Sequence, residues 1–312
     1  MATTDQGYQL SVLLVTYNHA GYIRQALESL FGQRIAGPIE LVVADDGSSD
    51  DTLEQIRAWD GTDERFHFRY LDNTVNLGIT ANYQRGFAAC TGRYVAVLEG
   101  DDYWVSPLKL AHQLAFLEEH WECPLCSVNY FVYDEKASRF TARIQPGEGY
   151  RLLGARELIH DNLVGNFSTC MYRRTALAQL PAALYALKSY DWIVNICVAR
   201  QGLIGFLESP LSVYRLHAAG VWSQKSQCEQ LNEQLVLIPG YDALTGHVFH
   251  QDFELLAANL RQAIQSARIG QVVAGVAPAA QRLRDYLPPV LLSLARGLVP
   301  PALTSMFARW RR

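Results

Sequence analysis

The chain has 312 residues, which allows one large domain or two modest ones. With 49% hydrophobic and 19% charged residues it has the material for a real core and is too apolar to be disordered. A net charge of −4 argues against a nucleic-acid partner, which needs a basic face.

The first residues, Met-Ala-Thr-Thr-Asp-Gln-Gly, carry no basic segment followed by an apolar stretch, so no secretion signal is expected. Residues 10–120 then alternate strand and helix patterns. Leu10 to Val15 reads as a buried strand, and Ala20 to Phe31 as a helix with Ile23, Leu27 and Leu30 on one face. Leu41 to Ala44 reads as a second strand, followed by a helix beginning at Thr52. Phe66 to Leu71 is a third strand pattern. A helix from about Thr80 to Cys90 follows, then a strand over Tyr94 to Leu98 and a helix from about Pro107 to His120, with proline suited to the first helical position. Such alternation predicts an α/β fold, a mostly parallel sheet covered by helices.

From about Leu125 the texture changes. Cys126 to Tyr133, Phe140 to Ile144 and Ser168 to Tyr172 read as strands, Tyr190 to Arg200 as a helix, and Ile204 to Leu216 as a strand broken by Pro210. Beyond Ser226 the chain reads as helical, with Asp252 to Ile269 the clearest amphipathic run. The expected parts are residues 1–124, residues 125–225 and a C-terminal helical extension, 226–312. Cys90, Cys170 and Cys197 read as small core residues. Cys123 and Cys126 form a CxxC with no second pair, so zinc is not expected and a reduced, cytoplasmic setting fits best.

Two acidic clusters stand out: Asp45-Asp46-Gly47-Ser48-Ser49-Asp50-Asp51-Thr52 and Glu99-Gly100-Asp101-Asp102-Tyr103-Trp104. Each follows an apolar β run, at the strand end where open α/β sheets bind ligands. A bland reading exists for each alone, since Asp-Gly and Asp-Asp pairs mark turns and Asp caps helices. Two such clusters point instead to a cation and a nucleotide between the carboxylates, which would otherwise repel.

In order, Val15-Thr16-Tyr17-Asn18, the first acidic cluster, Asn76-Leu77-Gly78, the second cluster, Tyr190-Asp191-Trp192 and Tyr214-Arg215-Leu216-His217 resemble a family 2 glycosyltransferase, an inverting sugar transferase of the GT-A fold. The resemblance covers about residues 9–225. It implies a Rossmann-like GT-A sheet and a metal-bound nucleotide sugar, with UDP as the expected nucleotide. Donor contacts are implied for Val15, Tyr17, Asn18, Asp45, Asp46, Asn76, Gly78, Asn82, Glu99, Gly100 and Arg215. Tyr17 would pack on the base and Asp46 accept its imide N–H, while Asp45 either joins them or orients the loop. Asp101 and His217 would hold Mg²⁺ or Mn²⁺. Asp191 would be the catalytic base, although Tyr190 stands where the family has Glu, and an N-cap is the structural alternative. Trp104 and Trp192 are either acceptor wall or core, Asn166 to Thr169 could add hydrogen bonds on the acceptor side, and Ala218 to Trp222 reads as a mobile flap.

The tail, Leu287 to Arg312, is apolar but interrupted by Arg296 and four prolines, so it is not a clean membrane span. It fits either an interfacial element on anionic lipid, in a protein peripheral to the membrane, or a helical pair packed on the catalytic domain or a second subunit. The expected reaction is transfer of a sugar from a UDP-sugar to a hydroxyl of a glycan or lipid-linked acceptor. The alternatives are a sugar-nucleotide nucleotidyltransferase, whose basic glycine-rich first loop is missing here, and a non-catalytic carbohydrate- or nucleotide-binding protein.

Overall fold

The computed structural model describes residues 7–71, 75–188, 191–218, 220, 222 and 224–286, with side chains to 268. The tail beyond Tyr286, and Tyr190, lie outside the described residues. The elements run β1 (Leu10–Thr16), α1 (Ile23–Phe31), β2 (Ile39–Asp45), α2 (Thr52–Arg57), β3 (Phe66–Tyr70), α3 (Ile79–Ala89), β4 (Tyr94–Glu99), β5 (Tyr103–Trp104) and α4 (Lys109–Glu119). They continue β6 (Leu125–Asp134), β7 (Arg139–Ala142), β8 (Tyr150–Leu153), α5 (Ala155–His160), β9 (Met171–Arg173), α6 (Arg174–Leu177), α7 (Asp191–Ala199), β10 (Ile204–Leu216), α8 (Gln227–Leu244) and α9 (His250–Tyr286).

The strands form one sheet, ordered β3-β2-β1-β4-β9-β6-β10-β5, with β7 on β6 and β8 on β10. β1, β2, β3 and β4 are parallel, whereas β9 runs antiparallel to both β4 and β6. β1 and β2 are buried along their whole length, as parallel strands covered on both faces must be. Their alternation sorts the core into two layers. Leu13, Val15, Val42, Val95 and Val97 face α3, α5, α7, α8 and α9, while Val12, Leu14, Leu41, Val43 and Leu98 face α1, α2 and α4.

From β1 the chain steps outward through β2 and β3, then returns to β4 on the other side of β1. The carboxyl ends of β1 and β4 therefore flank a topological switch point, where such sheets leave a crevice. Register fixes which residues meet there, with Thr16 opposite Asp45 and Val15 opposite Glu99. The long strand β10 pairs with β5 at Ser212–Trp104 and so carries Arg215 and His217 toward the second acidic cluster.

Three expectations are corrected. Pro107 precedes the helix, which starts at Lys109, because the Pro107 carbonyl accepts the Arg34 N–H at 2.7 Å from outside the element. The first helix starts at Ile23, after a turn on the His19 carbonyl. The pattern at Ser168–Tyr172 splits, with Phe167–Thr169 forming a 3₁₀ turn and β9 beginning only at Met171.

Candidate active site

One cavity of about 920 Å³ opens over the switch point, within the range of small-molecule sites. Val15, Tyr17, Asn18, Asp46, Asn76, Gly78 and Asn82 line one side. Tyr17 is 43% exposed. Asn18 sits at φ +53, its Oδ1 accepting the Ser49 N–H at 2.8 Å, which ties the β1 end to the first acidic loop. Both oxygens of Asp46 accept backbone N–H groups, from Leu77 and Gly78, each at 2.9 Å. Asn76 Oδ1 accepts the same Gly78 N–H at 3.0 Å. Asp45 stays off the cavity wall. It accepts the N–H groups of Gly47 and Ser48 and the Ser48 hydroxyl, contacts that orient the loop. Asn82 is 1% exposed and braces the Ala44 carbonyl at 2.8 Å, so it reaches the cavity as part of the frame.

Glu99 and Asp101 stand on the facing edge, and both line the cavity. His217 Nε2 lies 3.0 Å and His19 Nε2 3.6 Å from the same oxygen, Asp101 Oδ2. Burial pushes the Asp101 carboxyl up, but the His217 hydrogen bond and the charges of both imidazoles outweigh it and hold it below its ordinary value. The Glu99 carboxyl is pushed well above its ordinary value by burial, then by the charges of Asp102 and Asp101, and it accepts the Tyr83 hydroxyl at 2.7 Å. Gly100 makes no cavity contact. A Cβ there would fall 2.7 Å from Thr16 Oγ1 and 2.8 Å from His19 Nδ1, so the glycine lets the His19 loop close on Asp101. The expected donor contact at Gly100 is corrected accordingly. Arg215 is corrected in part. It reaches the wall, but its guanidinium bonds the Asp101 carbonyl at 2.9 Å, Glu135 and Gln25, and sits over the rings of Tyr22, Tyr103 and Tyr133. It fixes the Asp101 loop rather than presenting an open cation to a phosphate.

Asp191 begins α7 and lines the same cavity, with its Oδ2 accepting the Asn162 amide at 2.9 Å. Burial pushes its carboxyl up to about 6, against the lowering effect of Asn162 and the helix-start N–H groups. Trp192 lines the wall beside it, its indole N–H bonded to the Leu158 carbonyl at 2.5 Å. Trp104 does not reach the cavity. It is 4% exposed, its Nε1 donates to the Ser168 carbonyl at 2.8 Å, and Lys109 Nζ lies 4.2 Å from its ring centre. The acceptor-wall reading of Trp104 is corrected to a core residue.

The sequence does not single out several of the residues that build the cavity. His19, two residues beyond Tyr17, was legible as part of the first strand-end loop. Asn162 and Tyr83 act from a loop and a helix with no motif of their own. Gln230, Gln234, Leu237 and Tyr241 follow helical spacing along α8 and line the cavity, so the C-terminal extension forms part of its wall. Gly220 and Trp222 of the expected flap also line it.

The model of the family described as Glycosyl transferase family 2 matches residues 11–180, more than half of the chain. An uncharacterized protein of Mycobacterium tuberculosis is 32% identical over 213 residues, 68% of this chain but only 60% of its own length. Bacillus subtilis TuaG, named for teichuronic acid biosynthesis, is 25% identical over 69% of this chain and 82% of its own. Among solved structures, S. aureus TarS 1–349 in complex with UDP-GlcNAc aligns with a TM-score of 0.57 at 18% identity, covering 79% of this chain and 73% of that one. The mannosyltransferase PcManGT of Pyrobaculum calidifontis, in complex with GDP-Man and Mn²⁺, aligns at 0.59 and 17% identity, covering 97% and 85%. Sheet, helices and neighbours together are those of the GT-A fold. The chain belongs to glycosyltransferase family 2.

Proposed function

We propose that this chain is an inverting glycosyltransferase that moves a sugar from UDP to a hydroxyl of a glycan or lipid-linked acceptor. The observation that carries the reading is one cavity lined both by Asp101, just past the end of a strand, and by Asp191, at the start of a helix. Asp191, with its carboxyl pushed up to about 6, is ionised near neutrality yet basic enough to take a proton from an attacking hydroxyl. Asn162 orients that carboxylate. Tyr17 and Asp46 would bind the uracil from the β1 and β2 ends.

The residues around Asp101 fit a divalent ion. Its carboxylate is a hard oxygen ligand of the kind Mn²⁺ and Mg²⁺ take, and the His217 imidazole, 3.0 Å from the same oxygen, would stand beside the ion as a further ligand. Bound there, the ion would neutralise the charge of the departing diphosphate. The ligands of the two solved structures, UDP-GlcNAc in one and GDP-Man with Mn²⁺ in the other, support a nucleotide-sugar donor and a metal. The six cysteines are all free, which fits a reducing, cytoplasmic setting.

The test is product analysis. The full chain is incubated with Mn²⁺ and a panel of UDP- and GDP-sugars, and nucleotide release is followed with and without chelator. Chelator-sensitive release of UDP is expected. Release of pyrophosphate from a sugar phosphate and UTP would identify a nucleotidyltransferase, and nucleotide binding without any product would identify a binding protein.

A further inference from the structure

We infer that Asn166 holds a pair of neighbouring groups on the sugar being transferred, an inference that rests on the glycosyltransferase reading above. Asn166 is 4% exposed and belongs to the cavity wall, yet neither its Nδ2 nor its Oδ1 has a hydrogen-bond partner. Buried amides left with both ends unbonded are rare in native proteins, because each lost bond to water goes unreplaced. The surrounding segment is not loosely built. The Asn166 N–H donates to the Val164 carbonyl at 3.0 Å, and its own carbonyl accepts the Thr169 hydroxyl at 2.8 Å. Gly165 turns the chain at φ +79, where a Cβ would strike the Tyr130 ring. The backbone is fixed and the side chain alone is unsatisfied.

Its position narrows the ligand. The segment is anchored at one end by Asn162 on Asp191 and at the other by Ser168, whose hydroxyl accepts the Glu99 N–H at 3.0 Å. Asn166 therefore lies between the proposed base and the strand-end carboxylates. A sugar attacked from the Asp191 side, with its diphosphate on the Asp101 side, occupies that interval. A carboxamide presents a donor and an acceptor side by side. Its complement is a vicinal diol or an acetamido group, both neutral. The terminal amide torsion is broad and soft, so the group turns to meet such a ligand at little cost.

The experiment compares two affinities in one protein. Calorimetric titration of the full chain with Mn²⁺ gives the dissociation constants of UDP, UDP-glucose and UDP-N-acetylglucosamine. In Asn166→Leu, UDP affinity should hold while the ratio of UDP-sugar to UDP affinity falls about tenfold, the scale of one or two lost hydrogen bonds. The melting temperature of the ligand-free variant should stay level or rise, since an unsatisfied polar group has gone. Asn166→Ser serves the same comparison should the leucine variant not fold. An unchanged ratio in a folded variant overturns the inference, as does a lowered melting temperature with UDP and UDP-sugar affinity falling together, which marks a structural amide. A wild-type chain that binds neither UDP nor UDP-sugar instead overturns the glycosyltransferase reading, and does so before any variant is made.

Discussion

Asp191 is a carboxylate held where its charge is costly. Its folded value of about 6, against an ordinary 3.8, means that between about pH 4 and pH 6 the folded protein keeps a proton that the unfolded chain has released. Stability therefore falls as pH rises through that window, by up to about 3 kcal/mol for a shift of about two units. Asp191→Asn should remove this cost together with the base. Turnover should drop by about 10²–10⁴ while UDP-sugar affinity holds. The melting temperature should rise at pH 7.5, with the gain vanishing near pH 4. The wild-type rate should itself fall as pH drops through about 6. A residue serving only as a helix cap would show the stability change but no loss of turnover, because Asn caps as well as Asp, so near-normal turnover in a folded variant removes Asp191 as base. Asp101→Ala makes the complementary change. UDP binding should lose its dependence on Mn²⁺, and titration with and without the ion checks it. Asp46→Ala should weaken UDP binding by about 1.5–3 kcal/mol, the worth of a charged hydrogen bond. It also frees the Leu77 N–H and leaves Gly78 N–H to Asn76 alone, so the loss should be accompanied by easier proteolysis near residues 75–78.

At the scale of elements, the turn between α8 and α9 is held by one carboxylate. Asp242 Oδ2 lies 2.9 Å from His247 Nδ1 and 2.7 Å from His250 Nδ1. The hydrogen bond and charge of Asp242 raise the His250 value above 6.5. A raised histidine contributes stability that is present in full below its unfolded value and lost as pH rises through its folded one. The melting-temperature difference between wild type and His250→Ala should therefore be larger at pH 6 than at pH 8.5, and a pH-independent difference would show that packing, not charge, holds the turn. Such long-range partners explain what the sequence conceals. The apolar runs at 10–15, 41–44 and 94–98 are legible because a strand buried on both faces leaves little room for polar residues. The acids that end them are legible for the same reason, standing where the apolar run stops. Trp104 is different: its strand is two residues long and exists because β10, more than a hundred residues later, pairs with it. Pro107 looks like a helix start until Arg34, far back in the chain, takes its carbonyl. α8 lacks a one-sided apolar stripe because one flank meets α9 while another, carrying Gln230 and Gln234, faces the cavity.

At the scale of the whole molecule, the C-terminal helices are structurally continuous with the catalytic sheet. Ile238, Tyr241, Phe253, Leu256 and Leu260 are buried in the same core layer as Val15, Val97 and Ile193. Asp252 of α9 reaches back to His160 at 3.0 Å and Arg156 at 3.7 Å on α5. Ending the chain at residue 225 would expose the facing surface of that layer and remove one wall of the cavity. Five large buried side chains are worth about 1.5–3 kcal/mol each, on the order of 10 kcal/mol together. That equals the whole stability of an ordinary domain, about 5–15 kcal/mol. The 1–225 fragment is therefore expected not to fold, although it holds nearly all of the motif residues. Heat unfolding of the full chain should show the sheet and the helices through α8 melting in a single transition, since neither buries its core without the other. The check is expression of the fragment, with circular dichroism and titration by UDP. A soluble 1–225 fragment that melts cooperatively and binds UDP like the full chain would show that the two parts fold independently and that α8 is dispensable to the nucleotide site.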